Sequence, residues 1–111
     1  MSDCIFCKIV AGEIPSNKVA ENEHALAFHD INPEQPVHIL VVPKRHFTDV
    51  ADLSLNDTAA VAQLMNFAAQ VATENTNGHF RLQFNTGEQA GQTVFHVHGH
   101  ILSRHAKEAS A

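Results

Sequence analysis

The hydrophobic patterns along the chain predict an α+β fold: a mostly antiparallel five-stranded sheet with one short N-terminal helix and one long helix. Three observations carry this. Helical spacing of apolar residues opens the chain, a longer helical pattern runs from residue 54 to about residue 76, and the remaining apolar runs alternate or are β-branched at strand length. All 111 residues are read as one domain, and a hydrophobic fraction of 44% is enough to build a core.

Each element has its own local reason. Asp3 is a candidate N-cap for a short helix carrying Ile5, Phe6, Ile9 and Val10, with Gly12 as its end and Pro15 beyond it. Residues 18–22 and 25–30 read as strands around Glu23 and His24, and the β-branched run 37–43 (VHILVVP) reads as a buried central strand. Asp30-Ile31-Asn32-Pro33 is a turn signal between them. Ser54 and Asp57 have capping-box spacing, and Val61, Leu64, Met65, Ala68, Val71 and Ala72 follow a helical period. Residues 79–86 and 94–102 close the sheet, joined by the polar loop 87–92.

Charge and composition exclude several classes. Seven cationic against twelve acidic side chains give a net charge of -5 with the cations scattered, which argues against a nucleic-acid partner. The opening MSDCIFCKIV has no signal-peptide pattern and no stretch is long enough to span a membrane, so a cytoplasmic protein without a membrane partner is expected. In a reducing compartment Cys4 and Cys7 are a redox pair, half of a metal site, or two small buried residues one helical turn apart.

The stretch GQTVFHVHGHIL, residues 91–102, places histidines at every second position. On a pleated strand Val94, His96, His98, His100 and Leu102 share one face, and Phe95, Val97, Gly99 and Ile101 the other. Three explanations compete: solvent-facing decoration, ligands for a catalytic metal, or a neutral imidazole that attacks phosphorus while its neighbours hold phosphate oxygens. The adjoining loop favours the third. Gly87 and Gly91 allow close backbone approach, while Asn85, Gln92 and Thr93 supply uncharged donors.

His96-Val97-His98-Gly99-His100-Ile101-Leu102 resembles the histidine triad motif, in which histidines alternate with apolar residues. Residues 4–15 are similar to the opening of bacterial members of that family, 27–33 to its ribose-binding turn and 38–46 to its central strand, and the resemblance is greatest to the Hint-like branch. It implies hydrolysis of purine nucleoside 5′-phosphoramidates by a homodimer, with dinucleoside polyphosphate hydrolysis or regulatory nucleotide binding as alternatives. A dimer also suits the Ala-rich long helix, which offers more small apolar surface than one sheet covers.

The resemblance implies roles residue by residue. His98 is the nucleophile; His96 and His100 flank it, His38 lies beside it, and Thr93 holds or protonates the leaving group. Asp30 accepts from the ribose hydroxyls, His100, Asn85, Gly91 and Gln92 complete the phosphate site, and Phe6, Ile9, Ile14, Phe28, Ile31 and Leu40 wall the base pocket. Cys4, Cys7, His46 and His96 match the positions of a closed structural zinc site, with no metal needed for the chemistry. Two departures stand out: Gly99 replaces a larger apolar residue, and only nine residues follow Leu102.

Overall fold

The computed structural model describes residues 4–107. Five strands form one antiparallel sheet: β1 (Lys18–Glu21), β2 (Ala25–His29), β3 (Val37–Pro43), β4 (Arg81–Phe84) and β5 (Gly99–Ser103), in the order β1-β2-β3-β5-β4. Three helices accompany it: α1 (Ile5–Val10), α2 (Val50–Asn56) and α3 (Thr58–Asn75). No described helix is long and apolar enough to cross a membrane.

Every residue of β3 is buried because both faces of the sheet are covered there. Ala25, Ala27, Ile39, Val41 and Ile101 face Leu64, Phe67, Ala68 and Val71 of α3. On the opposite face Leu26, Phe28, Leu40 and Val42 pack with Phe6 of α1. The continuous apolar run in β3 is the signature of a strand buried on both sides.

The second helical region departs from expectation. Instead of one helix capped by Ser54, the chain forms two, because Asp49 and Asp57 each accept from the backbone N–H three residues on, at 2.8 Å from Asp52 and 3.0 Å from Ala60. Ser54 lies inside α2. Leu64, Ala68, Val71 and Ala72 hold the core face of α3 as predicted, whereas Met65 is exposed and Phe67 is buried. The Asp3 cap lies outside the described residues; within them Cys4 is the N-cap of α1, its sulfur accepting from the Cys7 N–H at 3.2 Å.

Strand bounds also shift. β3 runs as predicted, but β4 is shorter than 79–86 and β5 begins at Gly99, not Val94. The chain bends at residues 94–96, and the Val97 N–H leaves the sheet ladder to donate to the Phe47 carbonyl at 2.7 Å. Phe95, expected to share a face with Val97, Gly99 and Ile101, is exposed while Val97 and Ile101 are buried. At Gly99 an added β-carbon would lie 2.9 Å from Phe84 Cζ and 3.0 Å from Leu82 Cδ1, so neighbouring side chains fill the space a larger residue would take.

Candidate functional site

Antiparallel pairing places His100 opposite Leu40 and Leu102 opposite His38, so both histidines stand on the face that carries Phe28 and Asp30. His98 precedes the strand, its ring 4.9 Å from that of His100 and 5.0 Å from that of Phe6, the latter edge-on at 88°. Phe6 in turn packs edge-on against Phe28 at 5.5 Å. His96 leaves the rail: the bend turns its ring toward the N-terminal cysteines, so two histidines of the triad face one cleft and the third serves a different cluster.

The hydrogen bonds assign a tautomer to each ring. The Glu34 N–H donates to His38 Nδ1 at 3.1 Å, so neutral His38 carries its proton on Nε2. That proton faces His100 Nδ1 at 3.0 Å, with Asp30 Oδ2 as a second acceptor at 3.4 Å. His100 therefore keeps its proton on Nε2. His98 donates its Nδ1–H to the His96 carbonyl at 2.8 Å, which leaves its Nε2 with a free lone pair. His96 donates Nε2–H to the Pro43 carbonyl at 2.9 Å, leaving Nδ1 as an acceptor.

Burial favours the neutral form of His96, His98 and His100. Desolvation pushes His100 down to about 4, helped by the neighbouring His98 and His38 and opposed by Asp30 and Glu34. Desolvation likewise lowers His98, opposed by its bond to the His96 carbonyl and by Asp30. His96 falls to about 4 chiefly through burial, with His46 and His98 adding to the effect. The arrangement thus presents an unprotonated ring nitrogen beside an N–H donor, the pair needed to attack an electrophilic centre and hold its oxygen.

A cleft of about 300 Å³ opens on these groups. Of the predicted residues, Phe6, Ile9, Phe28, Asp30, Ile31, Leu40, Thr93, His98 and His100 line it. Ile5, His29 and Val94 line it too and were not anticipated; His29 had a signal in being next to Asp30 at a strand end. Ile31 is 91% exposed, an apolar side chain on the rim with no partner in the fold. His38 reaches His100 and not His98 directly. Ile14 faces a separate depression with Lys18 and Leu26, so it walls no part of this cleft.

The loop differs most from expectation. Gln92 is buried, and its amide is fully engaged: Oε1 accepts from the Gly87 N–H at 2.8 Å, while Nε2 donates to the Thr48 and Val94 carbonyls at 2.7 and 3.0 Å. The N–H groups of Ala90, Gly91 and Gln92 bond back to Gly87 and Glu88 through a 3-10 turn at Glu88–Ala90, with Gly91 in the left-handed region at φ 94. The loop itself is exposed, but a buried amide must satisfy its polar groups, so the Gln92 side chain braces the loop, and the N–H groups of Ala90, Gly91 and Gln92 are held by the turn. Asn85 accepts from Gln83 Nε2 at 3.3 Å and lies beside Gly91, outside the cleft lining.

Cys4, Cys7, His46 and His96 converge from three parts of the chain, each offering one donor atom, all within 4.8 Å of one another. His96 Nδ1 lies 3.3 Å from Cys4 Sγ, 3.4 Å from Cys7 Sγ and 3.2 Å from His46 Nδ1. Tetrahedral zinc bonds of about 2.3 Å to sulfur and about 2.0 Å to nitrogen place ligand atoms about 3.3–3.8 Å apart, so the set fits. The His96 tautomer fits as well, its free Nδ1 facing the cluster. Burial and the adjacent Cys4 raise the Cys7 thiol to about 11, and a cation at the centre would reverse that. Asp30, His38 and His100 also cluster, but His38 Nε2 carries a proton there and has no lone pair for a metal.

An antiparallel α+β domain that sets the alternating histidines 96, 98 and 100 at and beside one cleft matches the histidine triad class. The family profile described as "Scavenger mRNA decapping enzyme C-term binding" matches residues 3–111. An uncharacterised 13.2 kDa HIT-like protein of Azospirillum brasilense is 45% identical over 102 residues, covering 89% of this chain and 84% of its own length. Protein HitA of Neisseria gonorrhoeae is 40% identical over 104 residues, covering 92% and 96%. Among solved structures, a HIT family hydrolase from Clostridium thermocellum aligns with a TM-score of 0.85 at 38% identity, covering 92% and 90%. A histidine triad protein from Clostridium difficile aligns at 0.85 and 42%, covering 100% and 96%. The chain belongs to the histidine triad (HIT) family.

Proposed function

We propose that this single-domain protein hydrolyses purine nucleoside 5′-phosphoramidates in the cytoplasm, through a nucleotidyl-histidine intermediate on His98. The observation that carries the reading is the His98 Nδ1–H bond to the His96 carbonyl, which orients the ring and leaves Nε2 as the unprotonated nucleophile at the cleft. Phe6, Ile9, Phe28, Ile31 and Leu40 receive the flat apolar base, and Asp30 accepts from the ribose hydroxyls. His98 Nε2 forms a bond to phosphorus as the P–N bond breaks, and the leaving amine takes a proton from the Thr93 hydroxyl, which is restored by the proton that the attacking water gives up in the second step. Water then attacks phosphorus and the N–P bond to His98 breaks, returning the free ring. The Nε2–H of His100 holds a phosphoryl oxygen through both steps.

His98→Asn tests this. Turnover of adenosine 5′-phosphoramidate falls by at least about a thousandfold, while AMP affinity stays within about threefold because binding is spread over the cleft. Near wild-type kcat overturns the assignment. The reading includes zinc on Cys4, Cys7, His46 and His96, where it pins α1, and with it Phe6, against the sheet; its chemistry there is structural. It also includes a C2 homodimer, supported by the exposed Ala62, Met65 and Ala69 on the outer face of α3 and checked by sedimentation at micromolar concentration.

A further inference from the structure

Helix α1 supplies Ile5, Phe6 and Ile9 to one wall of the base cleft, and the same helix carries Cys7, with Cys4 as its N-cap. Sulfur chemistry and the shape of the cleft therefore meet on one short element. Among the described residues, every hydrogen bond from residues 4–16 to the rest of the chain passes through the two sulfurs. Cys4 Sγ lies 3.3 Å from His96 Nδ1, and Cys7 Sγ lies 3.3 Å from His46 Nδ1 and 3.4 Å from His96 Nδ1. The other backbone bonds of this segment are local turns onto Cys4, Cys7, Lys8 and Ile9. Apart from the sulfurs, α1 is held by the apolar packing of Phe6, Ile9 and Val10 on Leu26, Phe28 and Leu40.

The sheet side of the cluster has its own supports. His96 is anchored by its Nε2–H bond to the Pro43 carbonyl, and Val97 beside it by its N–H bond to the Phe47 carbonyl. The His98 ring, bonded to the His96 carbonyl, stays with them. When the sulfurs let go, the released element is α1. Neither cysteine is fully buried and His46 is exposed, so a small solute reaches the cluster. Cys4 Sγ already turns toward Cys7, accepting from its backbone N–H at 3.2 Å, and all four donor atoms lie within 4.8 Å of one another. Rotation of the two side chains brings the sulfurs together.

We infer, on the reading of the four residues as a zinc site and of the cleft as a nucleotide site, that Cys4 and Cys7 form a reversible thiol-disulfide switch that sets the affinity of the cleft. The oxidant is a peroxide. One thiolate attacks a peroxide oxygen and breaks the O–O bond, giving a sulfenic acid and hydroxide. The second thiolate attacks that sulfur and displaces its oxygen as hydroxide, forming the S–S bond. Two electrons have passed from the sulfurs to the peroxide, and two protons from solvent turn both hydroxides into water. The disulfide offers no thiolate to a cation and no S–H to His46 or His96, so both polar ties of α1 are cut at once. Two equivalents of a small thiol reverse the step, leaving as their own disulfide and returning both cysteines to the reduced form. Because Phe6 and its neighbours still pack on the sheet, the cleft loosens and is not lost. The coupling lies at the low end of the range for linked sites, about fivefold to tenfold in the Kd for AMP.

Calorimetry measures AMP binding to the purified protein, reduced and supplied with zinc, before and after treatment with hydrogen peroxide. Oxidation releases about one zinc per chain to a chromogenic chelator and removes both free thiols with the mass loss of two hydrogens. AMP then binds about fivefold to tenfold more weakly, and dithiothreitol with zinc restores the affinity. In Cys4→Ser/Cys7→Ser, and in Cys7→Ala as a second variant, peroxide leaves the AMP affinity where it was. An affinity that still responds in these variants, or oxidation that adds oxygen to the cysteines without joining them, overturns the switch. Equal affinity of the reduced and disulfide forms overturns the switch alone, whereas AMP that binds neither form fails the nucleotide reading of the cleft and takes the switch with it. If the reduced protein takes up no zinc, the metal reading fails; an AMP affinity that still falls on forming the disulfide upholds the switch, and an unchanged one overturns it.

Discussion

Replacing Gly99 by valine, an apolar side chain of the kind this family's motif commonly has there, destabilises the fold because the space is already occupied. A β-carbon at residue 99 meets Phe84 Cζ at 2.9 Å, Leu82 Cδ1 at 3.0 Å and Phe84 Cε2 at 3.1 Å, all closer than ordinary van der Waals contact. These atoms are the far ends of half-buried side chains on the edge strand, so they yield at a cost. Alanine adds one methyl. Its overpacking of about 1–2 kcal/mol is partly offset by about 0.4–1 kcal/mol from the stiffer unfolded chain, for a net loss of about 0.5–1 kcal/mol. Valine adds two more methyls and displaces both neighbours, at about 2–3 kcal/mol. At about 4 °C per kcal/mol for a domain of this size, the Tm of Gly99→Val falls by about 8–12 °C. Urea melts of Gly99→Val, Phe84→Ala and the double variant form a cycle, and removal of the ring makes room for valine, giving a favourable coupling of at least about 1 kcal/mol. Additive effects within about 0.5 kcal/mol, or a Tm raised by valine alone, would refute the argument that Phe84 occupies the glycine's space.

Purified protein carries close to one zinc per chain, and Cys4→Ser or Cys7→Ser lowers metal content and Tm more than it lowers kcat; unchanged Tm in metal-free protein returns the cysteines to ordinary packing. Ring-nitrogen NMR shows His100 neutral with its proton on Nε2, titrating near pH 4; a midpoint near the ordinary histidine value contradicts the burial argument. Because burial depresses the folded pKa, the unfolded chain binds a proton that the native one lacks between pH 6.5 and about 4, so the stabilising contribution is full above that window and is lost as pH falls through it.

Much of the framework was legible in the sequence because its causes are local. The β-branched run of β3, the Asx turn in which Asp30 accepts from the Asn32 N–H at 2.8 Å, and the end of α3 at Thr76 depend on neighbours a few residues away. The triad and the C-x-x-C pair were visible as residue types and spacings. What the tertiary structure decided depends on partners distant in the chain. The His98 tautomer follows from the bend that turns the His96 carbonyl toward its ring, and that of His38 from the Glu34 N–H. Gln92 pointed to a phosphate by type, yet burial required its amide to bond Gly87, Thr48 and Val94. The place of Gly99 depends on Phe84, which pairs with it across β4 and β5. A pattern of alternating residues predicts which side of a strand a group occupies; which of its atoms is left free is set by whatever packs against it, and that is known only once the chain has closed on itself.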